Sequence, residues 1–311
     1  MLNAIAYILC VLIWGSTWYV IEFQVGDVPP QWSVAYRFIL AFIIMLLISL
    51  FKGKPILLKG AIHRRLFILG LCLFSTNYLL IYIGTGYITS GLVAVCFSMI
   101  AFFNIFNGRL FLKAPVGREI ILGAVLGMIG LILIFLPEFN SLSLQDISFE
   151  NSTLLGITIC LLGAFCASLG NTAAASKKLA DLPLLSVNTW GMFYGALINI
   201  GYALLSGQPA KFLWTPEYVI SMLVLAILGT VVAFQLYLWL IARIGMAKAA
   251  YTAILIPLVA LTISTLFEGY IWTTEAIFGL IAILAGNVIM IKYKKKQPHP
   301  PLASEAEQIQ S

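Results

Sequence analysis

The feature that most constrains this chain is a series of ten apolar stretches, each about as long as a membrane-spanning helix. A helix needs roughly 20 mostly apolar residues to cross the ~30 Å hydrocarbon core of a bilayer. The stretches occupy residues 3–21, 31–51, 65–84, 88–111, 117–137, 154–174, 186–205, 217–241, 246–267 and 272–292. They are continuously apolar, whereas barrel strands alternate apolar and polar residues, so helices are the predicted spanning structure. We therefore predict an all-α, polytopic membrane protein of ten transmembrane helices.

The composition supports this prediction and limits what else the chain contains. Of its 311 residues, 61% are hydrophobic and 10% are charged, which is too little polar surface for a soluble globule. The connections are short, and a polar, proline-rich tail at 294–311 is expected to be disordered in the cytoplasm. All five cysteines lie in apolar stretches without metal-ligand spacing, which is typical of core residues. No metal and no cofactor are predicted.

The charged residues predict how the chain is oriented in the membrane. Nearly all of the 18 lysines and arginines lie in alternate connections, and the intervening loops carry mostly aspartate and glutamate. Because lysine and arginine remain on the cytoplasmic side, both termini are predicted to lie in the cytoplasm and the acidic loops outside. The net charge of +6 is then explained by the basic connections on the cytoplasmic side of the cell inner (plasma) membrane. No nucleic-acid partner is predicted.

One segment of the chain recurs in its second half. The run Glu119–Gly130 reappears as Glu275–Gly286, with glycines at matching positions that favour close helix packing. Five apolar stretches separate equivalent points, and because five is odd the second copy must cross the membrane in the opposite direction. Inverted copies of this kind are typical of secondary transporters. We predict two inverted five-helix repeats, at 1–137 and 154–293, joined by an outer loop at 138–153.

One basic residue, Arg37, lies inside a predicted span, about two turns into the second helix. An arginine near the middle of a helix costs at least ~2.5 kcal/mol to insert, and such a residue is a functional hypothesis by default. Two roles are open: a structural one, in which it bonds helix carbonyls or reaches the outer interface, and direct contact with an anionic group of a substrate.

Neutral polar and aromatic residues in the spans are candidate substrate contacts. Tyr78 and Tyr82 are four residues apart, as are Gln235 and Trp239, so each pair shares a helix face. Asparagine and glutamine at mid-membrane in both halves predict a shared polar cavity, although each alone could bond a neighbouring helix. Pro257 interrupts the ninth helix, as a hinge or as a tolerated kink. The candidate contacts are Trp14, Asn77, Tyr78, Tyr82, Ser98, Asn171, Gln235 and Trp239.

The middle of the predicted membrane contains no aspartate, glutamate or histidine. A membrane hydrolase needs a nucleophile with a histidine or carboxylate partner at depth, or a metal-binding pair, and neither is present. The chain is therefore not predicted to be an enzyme. The same absence favours facilitated export or exchange over proton coupling, with coupling through Glu22 or Glu268 left open.

Several short strings, taken in order, resemble the EamA family of the drug/metabolite transporter superfamily over roughly residues 3–292. They are Leu12–Thr17, Ala35–Ala41, Gly91–Val95, Ile256–Leu258, and Glu268-Gly leading to Gly279. The resemblance implies an inner-membrane permease that moves amino acids or related small metabolites, commonly outward. It also implies a central cavity built from helices 1 to 4 and 6 to 9, with helices 5 and 10 in support.

The chain departs from that family pattern in three places. Ala101–Asn104 stands where a proline is usual, Leu112–Pro115 lacks the usual glutamate, and Glu268 is displaced by about two residues from its common place. We expect Glu268 to be either a cap or interface carboxylate, or a gate residue.

Together these observations predict a carrier that rocks its two halves around a midplane cavity. It would export or exchange small metabolites, amino acids or related compounds, with Arg37 near the outer mouth. A second hypothesis with the same fold is uptake or exchange of a cofactor-like or nucleotide-linked metabolite, which should need more basic residues than Arg37. A third is a structural or sensory membrane protein without transport. The expected partners are a small-molecule substrate and the lipid bilayer; the oligomeric state is left open, with a monomer favoured.

Overall fold

The computed structural model describes residues 2–113, 117–141, 153–244, 249 and 252–296, and the structural statements below refer to those residues. They form ten long helices and no strand, which confirms the predicted all-α polytopic fold. The helices are α1 (Leu2–Glu22), α2 (Pro30–Phe51), α3 (Gly60–Thr85), α4 (Ser90–Leu112), α5 (Arg118–Ser141), α6 (Thr153–Ala174), α7 (Leu184–Leu205), α8 (216–244), α9 (Thr252–Phe267) and α10 (Thr274–Lys296).

Length and apolarity suit these helices to a bilayer. Seven of the described helices, α1 to α6 and α8, are each long and apolar enough to span it. Helix α7 is as long but less apolar, and its polar side chains face the protein interior, where Ser186, Thr189 and Asn199 are fully buried. Helices α9 and α10 contain shorter apolar segments, Thr252–Phe267 and Thr274–Ile289.

Three helices extend beyond their predicted boundaries by four residues or more. Helix α3 begins at Gly60, five residues before the predicted start at 65. Helix α5 continues to Ser141, into the predicted outer loop, and residues 142–152 of that loop lie outside the described residues. Helix α10 continues to Lys296, so residues 294–296 are helical and not part of a disordered tail. The remainder of the predicted tail lies outside the described residues.

Helices α3 and α8 each contain a π-helical segment, Gly70–Thr76 in α3 and Val224–Val232 in α8. The wider turn is visible at Thr230, whose Oγ1 donates to the carbonyl of Leu225, five residues earlier, at 2.8 Å. Helix α7 packs against the first segment and α2 against the second. Because π segments occur frequently at functional sites, these two places are candidate positions for a site.

Helices α5 and α10 pack on each other along a glycine seam. A Cβ on Gly279 would lie 2.6 Å from the carbonyl oxygen of Gly130, and one on Gly286 would meet the carbonyl of Gly123. Since the residue number rises along one helix as it falls along the other, the two helices are antiparallel. Only glycine allows this close approach of the two backbones.

Candidate functional site

At one end of the bundle, a buried polar network joins the α1–α2 connection and the start of α2 to α8. Nε2 of Gln24 donates to the Tyr218 carbonyl at 2.8 Å and to Oγ of Ser221 at 2.6 Å. The Ser33 hydroxyl lies 2.9 Å from the Tyr218 hydroxyl and donates to the Gln24 carbonyl at 3.2 Å. All four side chains are buried. We call the end that contains these four residues the closed end.

The α7–α8 connection strengthens the closed end. Nε1 of Trp32 donates to the Gln208 carbonyl at 3.2 Å, and the Tyr36 hydroxyl donates to the Lys211 carbonyl at 3.2 Å. The Lys211 ammonium also pairs with Asp27 at 3.4 Å, although both side chains are largely exposed. These contacts tie α2 to the connection that precedes α8.

Glu268 joins α9 to the start of α4 at the closed end. Its carboxylate accepts hydrogen bonds from the Ser90 backbone N–H at 3.0 Å and from the Ser90 hydroxyl at 2.5 Å. This is the contact of a helix cap, one of the two roles expected for Glu268. The Glu22 side chain at the end of α1 lies near the same carboxylate. Coupling through either glutamate remains a prediction.

At the opposite end the same three helices, α1, α2 and α8, line an open cavity of about 710 Å³. We call this the cavity end. It contains the predicted pair Gln235 and Trp239, which share a face of α8. The nearest hydrogen-bond partner of the Gln235 Nε2 is the Met45 sulfur at 3.8 Å, a weak acceptor, so the amide can bind a ligand. The lining residues are Leu2, Ala6, Ile48, Lys52, Val231, Val232, Gln235, Leu236 and Trp239.

Arg37 lies between the two ends, with only 2% of its surface exposed. Its Nε and Nη2 donate to Oγ1 of Thr230 at 3.2 and 3.1 Å, and Nη1 donates to the Tyr82 hydroxyl at 3.5 Å. The guanidinium also lies 4.7 Å from the centre of the Tyr78 ring. No carboxylate pairs with it among the residues that the structure describes. Thr230 directly precedes Val231, which lines the cavity, whereas Thr230 and Arg37 themselves are buried outside that lining.

Trp14 closes the space between α1 and α8 beside this cluster. Its indole Nε1 donates to the Gly229 carbonyl at 3.1 Å, and its ring packs edge-on against Phe234 with centroids 5.5 Å apart. A Cβ on Gly229 would lie 2.6 Å from Cγ2 of Thr17. The glycine therefore permits the close approach that brings α1, and with it Trp14, to the π segment of α8.

Three predicted contacts lie elsewhere in the bundle. Nδ2 of Asn77 donates to the Leu73 carbonyl of its own helix at 3.2 Å, and Nδ2 of Asn171 donates to Oδ1 of Asn104 at 3.2 Å. The Ser98 hydroxyl donates to the Val95 carbonyl and adjoins a void of about 10 Å³ next to α5 and α10. The common cavity expected for Asn77 and Gln235 is not formed in this structure, because only Gln235 lines the 710 Å³ cavity.

Pro257 is buried inside α9, and the helix continues on both sides of it. Its neighbour Val259 faces Gly15 of α1, where an added Cβ would lie 2.5 Å from Cγ1 of the valine. The proline therefore lies in a tight interface between α9 and α1, and its proposed role as a hinge remains a prediction.

Sequence reasoning missed Thr230 and the four residues of the closed end. Hydroxyl side chains in helices commonly bond a carbonyl of the preceding turn, so Thr230 resembles many residues without a site role. Its position beside Gly229 in an apolar span was the one available signal. Gln24 follows a predicted span directly, but nothing in the sequence indicates that it reaches α8.

Comparison with known proteins agrees with this architecture. The profile of the EamA-like transporter family matches residues 1–136 and, a second time, residues 154–292. The chain belongs to the EamA-like transporter family. The double match coincides with the two halves in which the sequence repeats itself.

Several relatives match this EamA-like chain over most of their length. The uncharacterized transporter YoaV of Bacillus subtilis is 22% identical over 88% of this chain and 91% of its own. The protein PagO of Salmonella typhimurium is 22% identical over 91% and 90%, respectively. The uncharacterized inner membrane transporter YedA of Escherichia coli K12 is 24% identical over 82% and 79%. The protein is thus a multi-pass membrane transporter and not an enzyme.

A solved crystal structure shares the EamA-like fold. It superposes with a TM-score of 0.65 over 95% of this chain and 99% of its own, at 13% sequence identity. At that identity the likeness supports the fold and carries no information on the substrate.

Proposed function

We propose that this EamA-like transporter is a secondary carrier that exports or exchanges small carboxylate-bearing metabolites, amino acids or related compounds, across the inner membrane. The observation that carries the proposal is Arg37, a buried cation whose described partners are all neutral. A buried charge without a counterion is strongly unfavourable, so it is retained where a ligand supplies the opposite charge. A substrate carboxylate fits the planar, five-donor guanidinium, which can bind both of its oxygens.

The cavity lies beside the segment of α8 that binds this charge. Thr230, which binds Arg37, is followed directly by Val231 and Val232 in the cavity wall. Trp239 offers an aromatic surface and Gln235 an amide whose Nε2 is bound only weakly by Met45. The lining thus offers a ligand apolar contacts together with the amide of Gln235 and the ammonium group of Lys52.

The charges at the two ends support an orientation. Lys52 lines the cavity, and Arg243 lies 5.4 Å from the Trp239 ring, whereas Glu22, Asp27 and Glu268 lie at the closed end. By the preference of lysine and arginine for the cytoplasm, the cavity faces inward and the closed end faces outward. Both termini then lie in the cytoplasm.

Alternating access would follow from two inverted halves. The antiparallel packing of α5 on α10, in which Gly123 meets Gly286 and Gly130 meets Gly279, supports that inversion, as does the double match to the family profile. Rocking of one half against the other would open the closed end and narrow the cavity end. A nucleotide-linked cargo fits less well, because a single buried arginine would have to neutralise several phosphate charges.

Counterflow with purified protein in liposomes tests the proposal. We expect saturable counterflow of several carboxylates in a screen of amino acids and small metabolites. Replacing Arg37 with leucine should leave a folded protein whose apparent affinity falls roughly 10- to 100-fold, since a charged hydrogen bond contributes about 1.5–3 kcal/mol. Arg64→Leu, an exposed arginine, is the matched control and should transport normally.

Three other results would each contradict a different part of the proposal. Flux without counterflow would indicate a channel, and absence of saturable flux from folded protein would indicate no transport at all. Unchanged affinity in Arg37→Leu would remove the arginine from the substrate site while leaving the carrier intact.

A further inference from the structure

Two connections of the chain begin with the same turn and differ in charge. In the α2–α3 connection Gly53 has a φ of 60°, and in the α7–α8 connection Gly207 has a φ of 66°. After each glycine the next backbone N–H, of Lys54 or of Gln208, donates at 2.9 Å to the carbonyl five residues earlier. The two segments are therefore structural counterparts, and what distinguishes them is their side chains.

The α2–α3 connection is strongly basic, whereas its counterpart is not. Lys52, Lys54 and Lys59 are exposed, and none of them forms an ion pair within the part of the chain that the structure describes. No aspartate or glutamate occurs in the sequence from residue 28 to residue 118. The counterpart carries Lys211, whose charge is paired with Asp27 at 3.4 Å. Three unpaired cations on one short connection form a surface that attracts anions.

Large apolar side chains project beside these cations. Phe51 is 90% exposed and Leu57 is 96% exposed. The backbone next to Leu57 is held against α7, because Nε1 of Trp190 donates to the Ile56 carbonyl at 2.9 Å. The leucine is therefore exposed on a segment that is bonded to the bundle. Lysine beside exposed apolar side chains is typical of segments that lie at the membrane interface.

The start of α3 adds to the attraction for an anion. It has no side-chain cap at Lys59 and no acidic residue in its first turn, whereas the first turn of α8 contains Glu217. The unbonded N–H groups and the dipole of a helix N-terminus favour a negative charge. A phosphate group next to Lys59 would therefore meet both the cation and the helix start.

We infer that the α2–α3 connection is a docking surface for the headgroups of anionic phospholipids. Lys54 and Lys59 contact the phosphate groups, and Phe51 and Leu57 lie among the adjoining acyl chains. A lipid is the partner that fits, because a free anion would use the cations and leave both apolar side chains in water. The inference does not depend on the proposed carrier function. It requires only that the connection face a leaflet that contains anionic lipid.

Native mass spectrometry of the full-length protein in detergent tests the inference. Phosphatidylglycerol and phosphatidylcholine with the same acyl chains are titrated, and the bound lipid is counted. We expect phosphatidylglycerol to bind about tenfold more tightly or better, since each cation near a lipid surface raises affinity roughly fivefold. Lys54→Gln with Lys59→Gln should therefore weaken that binding roughly 10- to 30-fold.

The matched control removes the same charge from another basic connection. Lys177 and Lys178 are exposed between α6 and α7, and Lys177→Gln with Lys178→Gln should change the binding of phosphatidylglycerol less than about threefold. Equal loss in the two double variants would overturn the inference, because overall charge and not the α2–α3 connection would then attract the lipid. Equal binding of the two phospholipids by the unmodified protein would overturn it as well.

A further variant separates a lipid from a free anion. Leu57→Ser keeps every charge and should weaken phosphatidylglycerol binding severalfold, because the acyl chains lose an apolar contact. Inorganic phosphate at the same concentrations should not displace the lipid. Displacement by phosphate, or unchanged binding in Leu57→Ser, would assign the surface to a free anion and overturn the lipid. Thermal melting verifies that all variants are folded.

Discussion

The closed end and the cavity end are built from the same three helices, yet they are held in different ways. At the closed end, α1, α2 and α8 are joined by Gln24, Ser33, Tyr218 and Ser221, whose side chains bond one another or nearby carbonyls. At the cavity end the same helices diverge and present mostly apolar walls. A hydrogen bond away from water is directional and is lost over a small displacement, whereas apolar walls can move apart or together gradually. In the proposed carrier, the closed end is therefore the part that must open during the change of state.

The boundary between the two ends lies at the π segment of α8. There Gly229 accepts from Trp14, and Thr230 accepts from Arg37. Both contacts connect α8 to the first half of the chain, and both lie between the sealed and the open region. In the proposed carrier, this segment is the place about which the helices would tilt.

The largest expected effect is a difference in reagent access between the two ends. In a chain whose half-exposed Cys72 and Cys166 are replaced by serine, Val232→Cys should react with a membrane-impermeant thiol reagent on the order of 100-fold faster than Val34→Cys. Val232 lines the cavity, whereas Val34 is fully buried beside Ser33. Labelling that is quenched at timed intervals and analysed by mass spectrometry measures the rates. Equal rates would show that the two ends do not differ in access.

The next effect follows from weakening the closed end. Gln24→Ala removes two hydrogen bonds from a side chain that is 1% exposed, which should destabilise the closed arrangement by about 1–3 kcal/mol. Labelling of Val34→Cys should then accelerate while labelling of Val232→Cys slows. Gln208→Ala is the control, since that residue contributes its backbone carbonyl and not its exposed side chain. Similar acceleration in the control would show that the network does not hold this end.

A smaller effect is expected at the cavity end. Trp239→Ala removes the aromatic wall and should raise the KM for a transported carboxylate about tenfold, since loss of a buried aromatic contact costs about 1–2 kcal/mol. Trp214→Ala, at a tryptophan that is 84% exposed near the closed end, should not change KM. A KM unaffected by Trp239→Ala would place the substrate outside this cavity.

The smallest effect should come from the exposed ion pair of the closed end. Lys211→Ala breaks its contact with Asp27, but exposed pairs of this kind contribute only about 0–1 kcal/mol. Melting temperature and transport rate should therefore stay close to those of the unmodified protein. A large loss would show that the pair, and not the buried network, closes this end.

The candidate site was only partly predictable from the sequence. Helical spacing correctly joined Gln235 to Trp239, and it placed both tyrosines that contact Arg37 on one face. It could not show that these residues form two separate groups, nor that Asn77 bonds its own helix. A periodic pattern identifies which residues share a face, but the rotation of that face toward a neighbour depends on packing against all surrounding helices.

The sequence by itself determined that this protein is a polytopic bundle of helices, with Arg37 as an exceptional charge inside it. It could do so because, in a bilayer, each spanning segment must satisfy its backbone groups within itself, so length and apolarity are local properties. Only the tertiary structure decided which side chains meet. A partner of Arg37 is Thr230, 193 residues away, and the neighbouring Gly229 lets α1 pack closely on α8 beside that contact. Contacts of this kind depend on the packing of distant segments, which no local pattern in the chain encodes.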